Sequence, residues 1–327
     1  MTPAKSASAS DDLHVKFLEQ VNQAIEHLTF GNAQTPRAGD ARRNQPRYHH
    51  VLVGYDGSEG SQRALEWAKD IALSYGAKVT VAAAFTPPQA SAPGAMGFAW
   101  YPDYVEAYGA IEDSTRRAAE NAVSRLRALG VEATPSVVEG SAGREIARLA
   151  HEQNADLVVV GATRGGKLKR AILGSTAASL LSHAPCSVLI ARGPPRPPRV
   201  LVATDGSHAS YRAVAHAYHR ASQTNAELIV QHVLDYPVET IDDVPPEGFV
   251  KAVAQRLQLP AAPPKVRYVL DVGYPATRIL LRAGEEDVGL VVVGAHGKDA
   301  LERFFVGSTS RRVANESHAS VLVVKGA

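Results

Sequence analysis

Two kinds of hydrophobic pattern alternate along this chain. Short continuous apolar runs, such as Val51-Leu52-Val53, Leu157-Val158-Val159-Val160 and Val188-Leu189-Ile190, read as strands buried on both faces. Between them, apolar residues return every three or four positions, as Ala64, Leu65, Ala68 and Ile71 do after Ser58, which suits a helix capped by that serine. The pattern predicts strands at 50–55, 79–85, 133–138, 157–160 and 187–191. It predicts helices from Ser58, over 103–129, 142–153 and 175–183, with a Pro-, Ala- and Gly-rich loop from Thr86 to about Tyr101. Strands alternating with helices imply a parallel sheet covered on both faces, an α/β fold.

The whole pattern occurs twice. Val51-Leu52-Val53-Gly54-Tyr55-Asp56-Gly57-Ser58 returns as Val200-Leu201-Val202-Ala203-Thr204-Asp205-Gly206-Ser207, and Cys186-Ser187-Val188-Leu189-Ile190 as Ala319-Ser320-Val321-Leu322-Val323. The spacing from Asp56 to Asp205 is 149, whereas from Gly161 to Gly294 it is 133, so the second copy is 16 residues shorter between those points. The loop after its second strand is the expected place, because loops absorb length changes at small entropic cost. The organisation expected is an N-terminal extension over 1–48, a first domain over 49–192, a proline-rich linker over 193–198 and a second domain over 199–327. Each domain is expected to be an open, five-stranded parallel sheet. The four prolines of the linker make it stiff and hold the domains in a fixed relation. In the extension, Asp12 can cap a short amphipathic helix carrying Phe17, Leu18, Val21, Ile25 and Leu28. That helix either docks a partner or packs on its own domain.

Composition narrows the function. With 35 basic and 33 acidic residues, the chain lacks the electrostatic footprint of a nucleic-acid binder. It holds no apolar run of 18 residues, so no membrane span is expected. The single cysteine, Cys186, excludes an intrachain disulfide framework and suits a reducing, cytoplasmic setting; it reads as a small buried residue at a strand start. No His/Cys/Asp spacing suggests a dedicated metal site.

The candidate chemistry sits in the turns. Each copy carries an acidic turn after its first strand, Asp56 or Asp205, and a glycine turn after its fourth. In the second copy this reads Gly294-Ala295-His296-Gly297, nine residues, then Gly307-Ser308-Thr309. In the first it reads Gly161-Ala162-Thr163-Arg164, nine residues, then Gly174-Ser175-Thr176. In an open parallel sheet, ligands bind beyond the carboxyl ends of the strands, where strand order reverses. A glycine turn feeding a helix there offers backbone N–H groups and a helix dipole to phosphate. Ala84 and Val233, near the ends of the second strands, can line a base pocket. Any one of these features is common as a simple turn or helix cap. Their order, repeated twice, is more specific. Lys167, Lys169, Arg170, Lys298 and Arg303 lie within the nine-residue spacers, either as phosphate contacts or as solvated loop charge, and His296 can stack or hydrogen-bond near a ligand.

The strand, Asp-Gly-Ser turn and Gly-x2-Gly-x9-Gly-Ser spacing before a last strand resembles the universal stress protein family, as does His183-Ala184-Pro185-Cys186-Ser187-Val188-Leu189. The resemblance covers about residues 49–327 as two tandem domains of the family's ATP-binding type. It implies a Rossmann-like fold of the adenine-nucleotide-binding α/β superfamily, with the glycine motif holding phosphates and ribose. It implies pairing through the last strand, so that two domains in one chain imitate a dimer; a homodimer of the chain is admitted as well. Carried over, the second site comprises Asp205, Val233, Gly294, Gly297, Gly307, Ser308 and Thr309. The first keeps Asp56, Ala84, Gly161, Gly174, Ser175 and Thr176, but Arg164 stands in place of the second glycine. If that position needs a left-handed backbone, a non-glycine costs roughly 1–2 kcal/mol. The expected function is adenine-nucleotide binding, chiefly in the second domain, in a regulatory or stress-response role, with ATP as the ligand and magnesium able to arrive on its phosphates. A slow ATPase or nucleotidyl-transfer enzyme and a nucleotide-free scaffold stay open. No catalytic residue is assigned, and the chain lacks a P-loop lysine motif.

Overall fold

In the computed structural model, each copy builds strands in the order 3-2-1-4-5, and the two sheets join into one. Residues 46–87, 102–164, 171–234, 265–296 and 306–326 are described, without the side chains of 102, 103, 163, 164, 171, 172 and 208. The extension's helix, the spacer cations named above and Gly297 therefore lie outside the described residues.

The first half runs β1 (His50–Gly54), α1 (Glu59–Tyr75), β2 (Lys78–Phe85), α2 (Pro102–Ala128), β3 (Ala133–Glu139), α3 (Ala142–Glu152) and β4 (Leu157–Gly161). A two-residue ribbon of β5 (Thr163–Arg164) and β6 (Ala171–Ile172) follows, then α4 (Ser175–His183) and β7 (Ser187–Ala191). The second half repeats this with β8 (Arg199–Thr204), α5 (His208–Thr224), β9 (Glu227–Leu234), β10 (Val266–Val272), α6 (Pro275–Glu285), β11 (Leu290–Gly294), α7 (Ser308–Glu316) and β12 (Ser320–Val324). The offset is still 149 at the end of the second strand, Phe85 to Leu234, and is 133 at the start of the third, Ala133 to Val266. The length difference thus falls between β9 and β10.

The sheet has ten strands in the order β10-β9-β8-β11-β12-β7-β4-β1-β2-β3. Among the described residues of this sheet, pairing is parallel within each half and antiparallel where β7 meets β12, with Leu189 opposite Leu322. The expected two five-stranded sheets are therefore fused edge to edge through their last strands. This removes two exposed sheet edges that would otherwise invite pairing with other chains. Every residue of β1, β7 and β12 is buried, as their continuous apolar runs require.

The junction is also tied by side chains. Asp70 on α1 accepts from Arg220 of α5 at 2.5 Å and from Arg196 of the linker at 2.7 Å. Trp67 donates its indole N–H to the Gly193 carbonyl at 2.8 Å, and the Arg220 guanidinium lies 5.1 Å from its ring centre. Arg192, buried after β7, donates to the carbonyls of Ala314 and Ala319 in the other half. The linker is held by these anchors as much as by its prolines.

Candidate functional site

Strand order reverses at β1 and β4 in the first half and at β8 and β11 in the second, so the crevices lie beyond the carboxyl ends of those strands. The first crevice is a cleft of about 470 Å³. Asp56, Ala84, Gly161, Gly174, Ser175 and Thr176 all line it. The sequence spreads these residues over more than a hundred positions; the topology brings them to one place.

The acidic turn is built locally. Gly57 adopts φ +79°, a left-handed conformation that favours glycine. The chain can then fold back so that the Asp56 carboxylate accepts the Ser58 N–H at 3.0 Å, while Ser58 caps α1 by accepting the Ser61 N–H at 3.2 Å. Burial opposes ionisation of Asp56, but the hydrogen bonds from Ser58 and Ser61 outweigh it and hold the carboxyl below its ordinary range. The second half repeats this geometry. Gly206 has φ +80°, Asp205 accepts the Ser207 N–H at 2.9 Å, and Ser207 accepts the Ser210 N–H at 3.2 Å.

The glycine turns divide into two kinds. A β-carbon on Gly161 would lie 2.1 Å from the Gly60 carbonyl carbon, so β4 and the first turn of α1 are packed backbone to backbone. Gly294 is likewise close to Ala209, at 2.9 Å from its carbonyl carbon. These glycines are required by the fold itself. Gly307 differs: its φ is −59°, and a β-carbon there would meet only the Ala295 oxygen, at an ordinary 3.5 Å. Gly174 and Gly307 are the N-cap residues of α4 and α7, and neither helix has a side-chain cap. Ser175-Thr176 and Ser308-Thr309 therefore open the first turns, whose N–H groups no capping side chain satisfies. Such an end favours an anion.

Asp205 follows β8, Val233 lies half-buried in β9, Gly294 ends β11, and Gly307, Ser308 and Thr309 open α7. Each matches its counterpart in the first half by element and register. In the same turn, the Nε2 of His296 is buried without a hydrogen-bond partner among the described residues, and burial, with Lys325 and Arg212 nearby, lowers its pKa. Arg164 is in β5, paired with Ala171, so its backbone is extended. The strain anticipated for a left-handed residue does not arise there.

The profile of the universal stress protein family matches residues 47–192 and again 198–325. The chain belongs to the universal stress protein family. Among similar relatives, universal stress proteins of Mycolicibacterium smegmatis and Mycobacterium tuberculosis are each 30% identical, over 84% and 86% of this chain and 96% and 99% of their own lengths. A crystal structure of a universal stress protein from Archaeoglobus fulgidus superimposes with a TM-score of 0.64 at 21% identity, covering 84% of this chain and 98% of the other, and so shares the fold. Tandem universal stress domains joined into one sheet form an intrachain pseudo-dimer. Among the described residues, no helix is long and apolar enough to cross a membrane.

The two universal stress domains are not equal at their clefts. Where the first has Gly54 opposite Ala82, the second has Ala203 opposite Gln231. Gln231 is fully buried and donates to Asp271 at 2.6 Å, and Asp271 also accepts two hydrogen bonds from Arg282, at 2.9 and 2.8 Å. Arg63, which lines the first cleft and pairs with Glu59 at 2.5 Å, is a site residue that motif reading misses. Its signal was in the repeat: it stands five residues after Ser58, as Arg212 stands five after Ser207.

Proposed function

We propose that the protein is a nucleotide-responsive regulator in which each domain presents an adenine-nucleotide cleft, with ATP as the favoured ligand. The observation that carries this reading is the convergence of the Asp56 turn, Gly161 and the uncapped N-terminus of α4 on one cleft of about 470 Å³. That volume lies within the range of small-molecule and cofactor sites. The base and ribose would sit against Ala84 and Asp56, and the phosphates against Ser175 and Thr176, where an anion gains from the helix dipole. In the second domain Asp205, Val233, Gly294, Gly297, Gly307, Ser308 and Thr309 would take the same parts, and ATP-bound magnesium would contact phosphate oxygens. The second site is the tighter of the two, because its glycine spacing is complete. Arg164 then leaves the first site altered, by its side chain rather than by backbone strain.

The test is to denature the purified protein, identify any released nucleotide and its stoichiometry, and titrate the nucleotide-free chain with ATP. Saturable binding, greatly weakened by Gly297→Val, supports the reading. Binding unchanged in that variant removes the second site from the proposal, and no binding of any adenine nucleotide refutes it.

A further inference from the structure

A second cavity, of about 440 Å³, lies on the seam between the domains, away from the first-domain cleft. It is lined by Arg47, Tyr48, Asp156 and Cys186 from one domain and by Arg212, His216 and Lys325 from the other. The pseudo-two-fold relation gives this cavity a mate. Arg212 corresponds to Arg63, His216 to Trp67, and Lys325 and Gly326 to Arg192 and Gly193. The corresponding residues are engaged: Trp67 donates to the Gly193 carbonyl, Arg192 donates to two carbonyls, and Arg63 pairs with Glu59.

The cations in the seam cavity lack those partners. His208 stands where Glu59 does, and Arg212 makes no hydrogen bond or ion pair with a described residue; its Nε is buried and unpartnered. Among the described residues, the Lys325 ammonium reaches only the Ala184 carbonyl, at 2.8 Å, and burial pushes its pKa down to about 8, as expected for an ammonium without a counter-charge there. The Tyr48 hydroxyl and Nδ1 of His216 share a hydrogen bond at 2.7 Å, and burial lowers the pKa of that imidazole to about 4, so it is neutral at pH 7. Asp156 is the only carboxylate among the described lining residues, and its Oδ2 accepts the N–H groups of His49 and His50 at 2.7 and 2.8 Å. Arg47, Arg212 and Lys325 therefore leave the cavity with a net positive charge.

We propose that the seam cavity binds a phosphate-bearing anion, held by the guanidinium of Arg212 and the ammonium of Lys325. A guanidinium presents a planar fork of donors that matches phosphate, and a half-buried pair of cations gains an anion's charge under weak solvent screening. The phosphate has two sources: free inorganic phosphate, or the phosphate tail of a nucleotide in the second domain, whose glycine turn carries His296 within the field of both cations. The site stands on the seam residues and does not depend on the nucleotide reading.

The experiment follows the Arg212 side-chain Nε–H resonance of the full chain, assigned by its loss in Arg212→Lys. Inorganic phosphate at constant ionic strength and pH 7 is expected to move it saturably, and Lys325→Gln to weaken that affinity by roughly tenfold, the usual worth of one charged hydrogen bond. Lys325→Arg should restore it, with thermal melting confirming that each variant is folded. If a nucleotide supplies the phosphate, ATP moves the resonance, adenosine does not, and Gly307→Val abolishes the effect of ATP but not that of inorganic phosphate. A resonance indifferent to both phosphate and ATP, equally moved by chloride, or titrating identically in Lys325→Gln would overturn the proposal.

Discussion

Gly161 and Gly60 touch backbone to backbone: a β-carbon on Gly161 would stand 2.1 Å from the Gly60 carbonyl carbon. Real β-carbons never approach so close, so strand and helix must separate if any side chain is added. Gly307 is under no such constraint in the other domain.

This separates glycines the fold needs from a glycine a ligand would need. Gly161→Ala should destabilise the chain by about 1–3 kcal/mol, the usual cost of overpacking. Gly307→Ala should cost less than about 1 kcal/mol, the propensity range of an ordinary helix end. Urea unfolding of both variants, beside ATP titration, checks this. A Gly307→Ala protein that is as stable as the wild type yet binds ATP less tightly would locate the ligand at that turn. Equal stability losses in the two variants would contradict the division.

Asp70 is the second test point. Its side chain is 8% exposed and is shared by Arg220, 7% exposed, and Arg196, 64% exposed. Removing the acid leaves the buried Arg220 charge uncompensated, which costs about 3–5 kcal/mol in comparable sites. Arg196→Ala removes an exposed partner and should cost at most about 1 kcal/mol. Chemical denaturation of Asp70→Ala and Arg196→Ala is expected to show that order. The reverse order would mean that the linker arginine, rather than the helix pair, holds the junction.

Much of this architecture was legible in the amino-acid order. Apolar runs such as Leu157–Val160 and Ser187–Ala191 are buried on both sides, so tertiary context has little left to override, and their strands appear within a residue of expectation. The start of α1 was legible because Ser58 is a strong local capping signal. The short ribbon of Thr163–Arg164 with Ala171–Ile172 was not, since two-residue strands have no periodicity. At the cleft, the motif residues were readable because turn chemistry is local. Arg63 and Glu59 were not, because on a helix a cation near an acid looks like any solvated pair. The seam is the least legible feature. Asp70 and Arg220 are 150 positions apart, and only the antiparallel meeting of β7 and β12 brings α1 against α5.

The last prediction concerns acid stability. Tyr48 shares a hydrogen bond with the neutral imidazole of His216, which burial, together with the neighbouring Arg212 and His219, lowers to a pKa of about 4. The unfolded chain takes up that proton near pH 6.5. The folded state refuses it until about pH 4, so the contribution of His216 is complete above pH 6.5 and is lost as pH falls from there towards 4. The loss is on the order of 3 kcal/mol at most, from the shift alone. His216→Gln keeps a hydrogen-bond partner for Tyr48 and removes the titration. Unfolding free energies measured at pH 7 and pH 4.5 should therefore fall less in the variant than in the wild type. Equal falls would show that the imidazole takes up its proton in the folded chain, with Tyr48 and Arg212 rearranging to admit the charge.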